Sequence, residues 1–435
     1  MSNNEVAADR LWLDGAFRVD TRLRDAEGHT PPREGTRYAV PGMPNLHSHA
    51  FQRAMAGLAE RRANADDSFW TWREVMYAFA GRIGPDELRA IAAQVYVEML
   101  KAGYTRVCEF HYLHHRPDGG AYDDPAAMSL ALIEAAEQAG IGLTLLPTLY
   151  MTGGFDGRAL SDRQKRFGHD VHGYLRLVER LRALESDRLR VGIALHSLRA
   201  VPEAAMREVL ESPIARDCVI HIHIAEQLGE VQDCLALRNA RPVEWLLDHA
   251  PVGARWCLVH ATHMTDGETR RLAKTGAVAG LCPTTEANLG DGLFALPVYL
   301  SAGGVLGVGS DSHISVSPVE ELRWLEYGQR LLHRHRNISA RAADASVAQT
   351  LWDVALAGGL QACGLRAGDA ADWLVLDAQA PTLAARDERS VFDSFVFAGN
   401  VPLVRDVMAG GRWVVRDFHH VDEERILERF RRALA

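Results

Sequence analysis

Two histidines spaced one residue apart, His47 and His49, end an apolar segment that starts at Pro41. In a β-strand, alternate side chains point to the same face, so both imidazoles can reach one metal ion. The chain holds 19 histidines, and such a pair alone does not establish a metal site. Two further pairs have the same spacing: His221/His223 and His333/His335. The metal hypothesis therefore depends on whether the remaining ligands follow in order.

Further ionisable side chains follow later strand-like segments, where the carboxyl ends of parallel strands build active sites. These residues are His111, His196, His223, Glu226, His260 and Asp311. Imidazole and carboxylate ligands suit Zn²⁺, with Fe²⁺ or Mn²⁺ as alternatives. A bound Zn²⁺ lowers the pKa of a water from ~15.7 to about 7, which provides hydroxide at neutral pH. The expected chemistry is hydrolysis by this hydroxide.

The elements that must position these residues alternate between strand and helix patterns. Eight apolar segments are separated by amphipathic ones, and they lie at 43–49, 105–110, 143–146, 190–195, 218–223, 256–260, 277–281 and 305–311. This alternation predicts an α/β fold, a (β/α)₈ TIM barrel. An open doubly wound sheet is the alternative. It would carry a glycine-rich turn after its first strand, where this chain has Leu-His-Ser-His.

Both ends of the chain carry short strand patterns. They include Leu11–Leu13, Asp372–Asp377, Val391–Phe397, Val404–Met408 and a hairpin signal at Gly410–Gly411. Because chain termini often lie close together on a domain, we predict that both ends build one small β-sandwich domain. The predicted boundaries are 1–43 and 366–435 for this domain, with the catalytic barrel at 44–365.

Composition excludes several classes of protein. A chain of 435 residues with 47% hydrophobic residues can bury a large core. A net charge of −9 argues against a nucleic-acid partner, so an anionic substrate needs local arginines. The six cysteines form no C-x-x-C pair, and no apolar run approaches the ~18 residues of a membrane span, so we expect a cytoplasmic protein. The sequence does not decide whether Trp70 and Trp72 form a homodimer contact or a substrate lid.

In their order, the motifs resemble the amidohydrolase superfamily, in its aminohydrolase (deaminase) branch, over nearly the whole chain. The resemblance implies four metal ligands: His47, His49, His223 and Asp311. It also implies acid–base roles for Glu226, His260 and Asp311. Two-metal members use a lysine at a strand end, but all three lysines of this chain lie in helical or loop patterns. We therefore expect one Zn²⁺ per chain.

Within this branch, residues 42–53, 108–115 and 195–199 resemble the formimidoylglutamate deiminases of bacterial histidine degradation. The resemblance implies hydrolysis of N-formimino-L-glutamate, a small dianion, to N-formyl-L-glutamate and ammonia. It implies five substrate contacts: Gln52, Arg73, Tyr112, His196 and Arg199. Arg73 is expected in an aromatic-rich loop. Two alternatives stay open, a deaminase acting on a purine, pyrimidine or triazine ring, and a non-enzymatic barrel that only binds a ligand.

Overall fold

The computed structural model describes residues 8–13, 15–19, 37–60, 69–366 and 372–435. The strands of these regions form two sheets. The strands are β1 (Arg10–Leu13), β2 (Ala16–Arg18), β3 (Tyr38–Pro41), β4 (Met43–Ser48), β5 (Tyr104–His111), β6 (Gly142–Leu149), β7 (Leu189–Val191), β8 (Ile193–Ser197), β9 (Ile220–Ile224), β10 (Trp256–His260), β11 (Val278–Leu281), β12 (Val305–Val308), β13 (Trp373–Leu376), β14 (Val404–Ala409), β15 (Arg412–Arg416) and β16 (His419–His420).

Helices separate the barrel strands and extend beyond them. They are α1 (Phe69–Ala80), α2 (Pro85–Ala102), α3 (Ala127–Ala139), α4 (Val171–Arg182), α5 (Glu203–Glu211), α6 (Leu228–Arg238), α7 (Pro242–His249), α8 (Asp266–Thr275), α9 (Pro283–Leu289), α10 (Leu296–Ser301), α11 (Pro318–His333), α12 (Val347–Ala362), α13 (Val391–Phe397) and α14 (Glu423–Leu434). Several begin at side-chain caps: Thr265, for example, caps α8 by accepting a hydrogen bond from the Glu268 amide.

The larger sheet is the predicted parallel barrel. Its strands follow the order β12-β11-β10-β9-β8-β6-β5-β4, and β7 pairs with β6 as the first half of the fourth strand. All residues of β4, β5 and β6 are buried, polar ones such as Asn45 and Glu109 included, as in barrel strands that are covered on both faces. A parallel bridge between Ser48 and Asp311 joins the first strand to the segment after the last. The expected (β/α)₈ barrel is confirmed.

The second sheet contains strands from both chain ends, as predicted. Its order is β16-β15-β14-β13-β3-β1-β2, and β3 pairs antiparallel with β13 at its centre. The residues described here form one continuous sheet of seven strands, where the sequence suggested a sandwich. The barrel strands run from Met43 to Val308, between the two contributions to this sheet. The domain boundaries proposed from the sequence stay a prediction.

Two local predictions were wrong. Residues 391–397 form helix α13, although their aromatic and β-branched composition suggested a strand. Arg73 lies on helix α1, although a loop was expected there. Trp72 lines a cavity described below, while the side chain of Trp70 lies outside the described residues.

The six cysteines are buried free thiols. In the described ranges, no helix has the length and apolarity needed to cross a bilayer.

Candidate active site

Three histidines and one aspartate meet at the carboxyl ends of the barrel strands. His47 lies in β4, His49 directly follows it, His223 lies in β9 and Asp311 follows β12. His47 Nε2 is 3.1 Å from His49 Nε2 and 3.0 Å from His223 Nε2. Asp311 Oδ1 is 3.4 Å from the Nε2 atoms of both His47 and His49. His47 is therefore shared by two groups of ligand atoms that lie within 4.8 Å of one another, His47/His49/Asp311 and His47/His223/His260.

The chemistry of this cluster fits a divalent cation. His49 Nδ1 donates a hydrogen bond to the Phe110 carbonyl at 2.8 Å, and His223 Nδ1 donates one to the His196 carbonyl at 3.0 Å. Each Nε2 therefore presents a lone pair to the centre of the cluster, the tautomer that metal-binding histidines require. Tetrahedral ligands at about 2.0–2.1 Å from Zn²⁺ lie roughly 3.3 Å apart. The four separations given above, three of which involve His47, are 3.0 to 3.4 Å.

A row of acidic side chains and one histidine adjoins this cluster. His260 Nε2 is 3.8 Å from Glu226 Oε1 and 3.9 Å from Asp311 Oδ2. On the other side of the ring, His260 Nδ1 is 3.3 Å from Glu286 Oε1. Burial lowers the pKa of His260, but the charges of Glu226 and Asp311 and the bond to Glu286 outweigh it and raise the pKa to about 10. Burial also raises the pKa of Glu226. These groups can hold and exchange protons.

One cavity, here called the active-site cavity, connects this row to two arginines. It is lined by His49, His223, Glu226, His260 and Asp311 from the groups above. All five residues expected to contact substrate also line it: Gln52, Arg73, Tyr112, His196 and Arg199. A small anionic molecule in this cavity would therefore meet guanidinium groups and the acid–base row together.

Contacts among the lining residues fix several of these side chains. Gln52 Nε2 donates to the Tyr112 hydroxyl at 3.0 Å. Arg73 Nη2 donates to the Tyr150 hydroxyl at 3.2 Å, and the guanidinium lies 5.1 Å from the centroid of the Tyr77 ring. Arg73 is thus held by two aromatic side chains, although α1 carries it outside the barrel strands. Such restraint reduces the entropy lost when the guanidinium binds a carboxylate.

Three residues that the sequence interpretation missed belong to the same site. Glu230 accepts hydrogen bonds from the amides of Ala225 at 3.0 Å and Glu226 at 3.1 Å, so it fixes the segment after β9. Glu286 contacts His260, and Tyr150 contacts Arg73 as described above. Glu230 and Glu286 both lie in the first turn of a helix that follows a barrel strand. Acidic residues at such positions were the available sequence signal.

Two further histidines of the strand segments lie away from the metal-type cluster. His221 Nε2 donates to the Ala362 carbonyl at 2.9 Å, so this ring lies against the end of helix α12. His221 and His223 are two residues apart and share one face of β9, but His221 lies about 6.6 Å further from the carboxyl end of the strand. The His111 ring lies 5.1 Å from the His114 ring in a separate buried cluster. Depth along the strand therefore separates His221 from the ligand set.

Unusual backbone conformations concentrate at this end of the barrel. Ala225, His260 and Asp311 have φ values of 50°, 68° and 46°, in the left-handed region that non-glycine residues rarely adopt. Each follows or ends a barrel strand. Such conformations cost on the order of 1–3 kcal/mol and persist only where surrounding structure enforces them. They turn the chain sharply where the acid–base side chains must point into the cavity.

Comparison with known proteins agrees with this geometry. A model of the amidohydrolase family matches residues 38–414. The chain is 54% identical over 432 residues to the formimidoylglutamate deiminase of Pseudomonas aeruginosa, covering 98% of this chain and 93% of that protein. The crystal structure of an amidohydrolase from Brucella melitensis matches with a TM-score of 0.89 at 43% identity, covering 99% of this chain and 98% of that one.

A more distant structure shares the fold alone. The atrazine chlorohydrolase of Arthrobacter aurescens TC1, crystallised with zinc, matches with a TM-score of 0.81 at 21% identity and covers 99% of both chains. The resemblance indicated by the motifs is thus confirmed at the level of the family. On the family match and the 54% identity together, this chain belongs to the amidohydrolase family.

Proposed function

We propose that this chain hydrolyses N-formimino-L-glutamate to N-formyl-L-glutamate and ammonia, a step of histidine degradation. The observation that carries this proposal is the presence of Arg73 and Arg199 in the same cavity as Glu226 and the histidine–aspartate cluster. The substrate has a formamidine carbon for hydrolysis and two carboxylates for the guanidinium groups. The 54% identity to a formimidoylglutamate deiminase supports the same reaction.

We infer one Zn²⁺ per chain, held by His47, His49, His223 and Asp311. When bound, it supplies a water whose pKa is lowered to about 7. Fe²⁺ and Mn²⁺ offer the same chemistry with the same ligands. Elemental analysis of the purified protein tests both identity and number. Two ions per chain in the fully active enzyme would contradict the mononuclear assignment.

The acid–base residues divide the proton transfers between them. Asp311 takes the proton that the water loses, while His260, whose pKa is raised to about 10, stays charged at 3.9 Å from Asp311 Oδ2 and orients the water. The imino nitrogen gains two protons, both from the water, and departs as ammonia. Glu226 delivers them, one as the water attacks and one as the C–N bond breaks. Its separation of 3.8 Å from His260 lets a proton pass between them after a small movement. The net reaction consumes one water and leaves a formyl group.

The remaining lining residues orient the substrate. Arg73 and Arg199 bind the carboxylates, since guanidinium–carboxylate pairs form charge-assisted and often bidentate hydrogen bonds. Gln52, Tyr112 and His196 complete the contacts between these anchors and the formamidine carbon. Binding of remote groups positions the reacting carbon and thus contributes to turnover as well as to affinity.

Two other hypotheses are weaker. A deaminase of purine, pyrimidine or triazine rings needs a flat apolar pocket, and two arginines in the cavity do not favour a neutral ring. A barrel that only binds a ligand has no need for an acid–base row beside a metal-type cluster.

A homodimer and a cytoplasmic location stay predictions from the sequence. Light scattering tests the first, and cell fractionation tests the second.

Ammonia release from a panel of substrates decides among these hypotheses. N-formimino-L-glutamate should react far faster than formamidine, adenosine, guanine or cytosine. Formamidine is the matched control, because it has the reacting carbon and lacks both carboxylates. A ring substrate that reacts faster than N-formimino-L-glutamate would reject the proposal, and no ammonia from any compound would favour the ligand-binding barrel.

A further inference from the structure

Tyr150 is a buried residue of the active-site cavity that follows strand β6. Its side chain lines the cavity, although the residue as a whole is only 2% exposed. The Tyr150 ring packs edge-on against the His196 ring, with centroids 4.3 Å apart. The His196 ring in turn lies 5.2 Å from the His223 ring of the metal-type cluster. Tyr150 therefore lies beyond His196 as seen from that cluster, on the side where Arg73 contacts it.

The Tyr150 hydroxyl takes part in two hydrogen bonds, and its oxygen is the acceptor in both. The oxygen accepts from Arg73 Nη2 at 3.2 Å and from Gln164 Nε2 at 2.9 Å. Gln164 cannot be reversed to accept instead, because its Oε1 already accepts from the Ser161 amide and hydroxyl. A phenol hydroxyl can accept hydrogen bonds and donate one. Both bonds of the Tyr150 hydroxyl are accepted ones, and within the described part of the chain its O–H has no acceptor.

A buried O–H without an acceptor costs free energy unless a ligand supplies one. The hydroxyl is held beside a guanidinium that can bind a carboxylate, and two donors on its oxygen polarise the O–H and strengthen it as a donor. The acceptor with the matching charge and position is an oxygen of the carboxylate that Arg73 binds.

We propose that Tyr150 donates a hydrogen bond to the substrate carboxylate paired with Arg73, and that it helps to select dicarboxylate substrates. This inference rests on the proposed function and adds a substrate contact to it. Tyr150 would contact the substrate directly, in addition to holding Arg73. Gln164 then acts as a positioning residue, because it fixes the direction in which the phenol donates.

The test compares Tyr150→Phe with the wild type on three substrates. N-formimino-L-glutamate has both carboxylates, N-formimino-4-aminobutyrate lacks the α-carboxylate, and N-formimino-L-norvaline lacks the γ-carboxylate. A hydrogen bond to a charged group is worth about tenfold or more in kcat/KM. We expect Tyr150→Phe to lower kcat/KM about tenfold for the dicarboxylate and less than about threefold for one of the two truncated substrates. An equal loss on all three substrates would overturn the proposal.

A second comparison separates direct donation from support of Arg73. In an Arg73→Met background, Tyr150→Phe should still lower kcat/KM several-fold, because the hydroxyl contacts the substrate itself. If the effect disappears in that background, Tyr150 acts only through Arg73 and the proposal is wrong. Tyr299→Phe is the matched control, since its hydroxyl bonds to the Ala277 and Val305 carbonyls at the opposite end of the strands. It should not change the ranking of the three substrates.

Binding of glutarate, measured by calorimetry, makes the inference independent of turnover. Glutarate is a dicarboxylate without a formimino group, and Tyr150→Phe should weaken its binding about tenfold. Unchanged glutarate affinity would overturn the proposal. Absence of ammonia release by the wild type from N-formimino-L-glutamate would instead reject the proposed function, while the glutarate comparison would still decide the role of Tyr150.

Discussion

At the scale of single residues, the environment of Glu226 matches the requirements of a proton-transfer group. Burial raises its pKa, while the charge of His260 opposes that rise. Glu230 holds the Glu226 amide, and its own pKa is raised to about 7 by burial despite the nearby charge of Arg199. The raised pKa of Glu226 brings its carboxyl group closer to the working pH, where a group is most efficient as a general acid or base.

Replacing Glu226 by Gln tests this role. The amide preserves the shape of the side chain and cannot transfer a proton, so kcat should fall by about 10² to 10⁴-fold. Steady-state kinetics measure the loss, and elemental analysis of the same preparation should find the metal retained. If the metal is lost together with activity, Glu226 is a ligand and its proposed role is wrong.

The two arginines should affect substrate selection more than metal binding. Arg73→Met and Arg199→Met should each lower kcat/KM for N-formimino-L-glutamate by about tenfold or more, since each removes a charge-assisted contact. Arg207→Met is the control, because Arg207 is an exposed side chain paired with Glu203 on α5. Equal activity of all three variants would show that the carboxylates bind elsewhere.

The types and order of the histidines and Asp311 are distinctive, so the sequence could indicate that they lie near one another, and their role as metal ligands stays a prediction. Tyr150 could not be predicted, since its role depends on the Arg73 side chain 77 positions earlier and on Gln164 14 positions later. Glu286 was missed for a related reason. It lies on helix α9, while its partner His260 lies 26 positions earlier in strand β10. Such contacts are created by the packing of helices onto the barrel and have no local pattern.

At the scale of elements, helix α12 packs unusually closely against the barrel. A Cβ atom placed on Gly358 would lie 1.9 Å from the Leu306 carbonyl oxygen of β12, and one on Gly359 would lie 3.0 Å from the Pro44 side chain in β4. The helix thus touches the first and last barrel strands through a surface without side chains. Backbone atoms on both sides leave no room for relaxation.

Gly358→Ala should therefore destabilise the fold. Alanine favours a helix by about 1 kcal/mol over glycine, but the clash with the Leu306 backbone should outweigh this gain and lower the unfolding free energy by roughly 1–3 kcal/mol. Urea denaturation followed by circular dichroism measures the change. Gly229→Ala on α6 is the control, since no atom lies within 4 Å of the added methyl, and it should be neutral or stabilising. A stabilised Gly358→Ala would show that α12 can move away from β12.

The prediction of elements succeeded where periodicity was long and failed where it was short. Most barrel strands are buried on both faces and appear as predominantly apolar segments between amphipathic helices. Residues 391–397 have β-favouring residue types, yet Phe392 and Phe395 pack against Trp352 at centroid distances of 6.0 and 5.4 Å from one face of a helix. Tertiary packing overrode local propensity in this short segment.

At the scale of the whole molecule, buried histidines make stability depend on pH. Burial and then the charge of Arg166 lower the pKa of His111 to about 3, so its ring stays neutral in the folded protein. In the unfolded chain the same group titrates near 6.5. Its contribution is complete above about pH 6.5 and is lost as the pH falls from there towards 3, because the unfolded state then binds more protons.

We expect the unfolding free energy to fall between pH 6.5 and 5, with His111 contributing about 1.4 kcal/mol per pH unit. His111→Gln should remove the contribution of His111 to the pH dependence of the unfolding free energy. This holds even if the substitution lowers the unfolding free energy by the same amount at every pH. Urea denaturation at several pH values measures both slopes. An unchanged slope in His111→Gln would mean that this ring is not kept neutral by the fold.

The bridge between Ser48 and Asp311 makes the barrel a ring with a single seam. Asn45 and Ser310, which hydrogen-bond across that seam at 2.6 Å, are 265 positions apart. A metal ion bound by residues from both sides would cross-link the first strand to the segment after the last strand, as a disulfide cross-links the two ends of a long loop. The entropic cost of closing a loop grows with the logarithm of its length. A cross-link that closes a loop of this size would therefore stabilise the folded protein by about 5–6 kcal/mol. Chelation should then let the barrel open along this line first, and amide exchange would rise in residues 47–49 and 310–313 before it rises in β9 and β10.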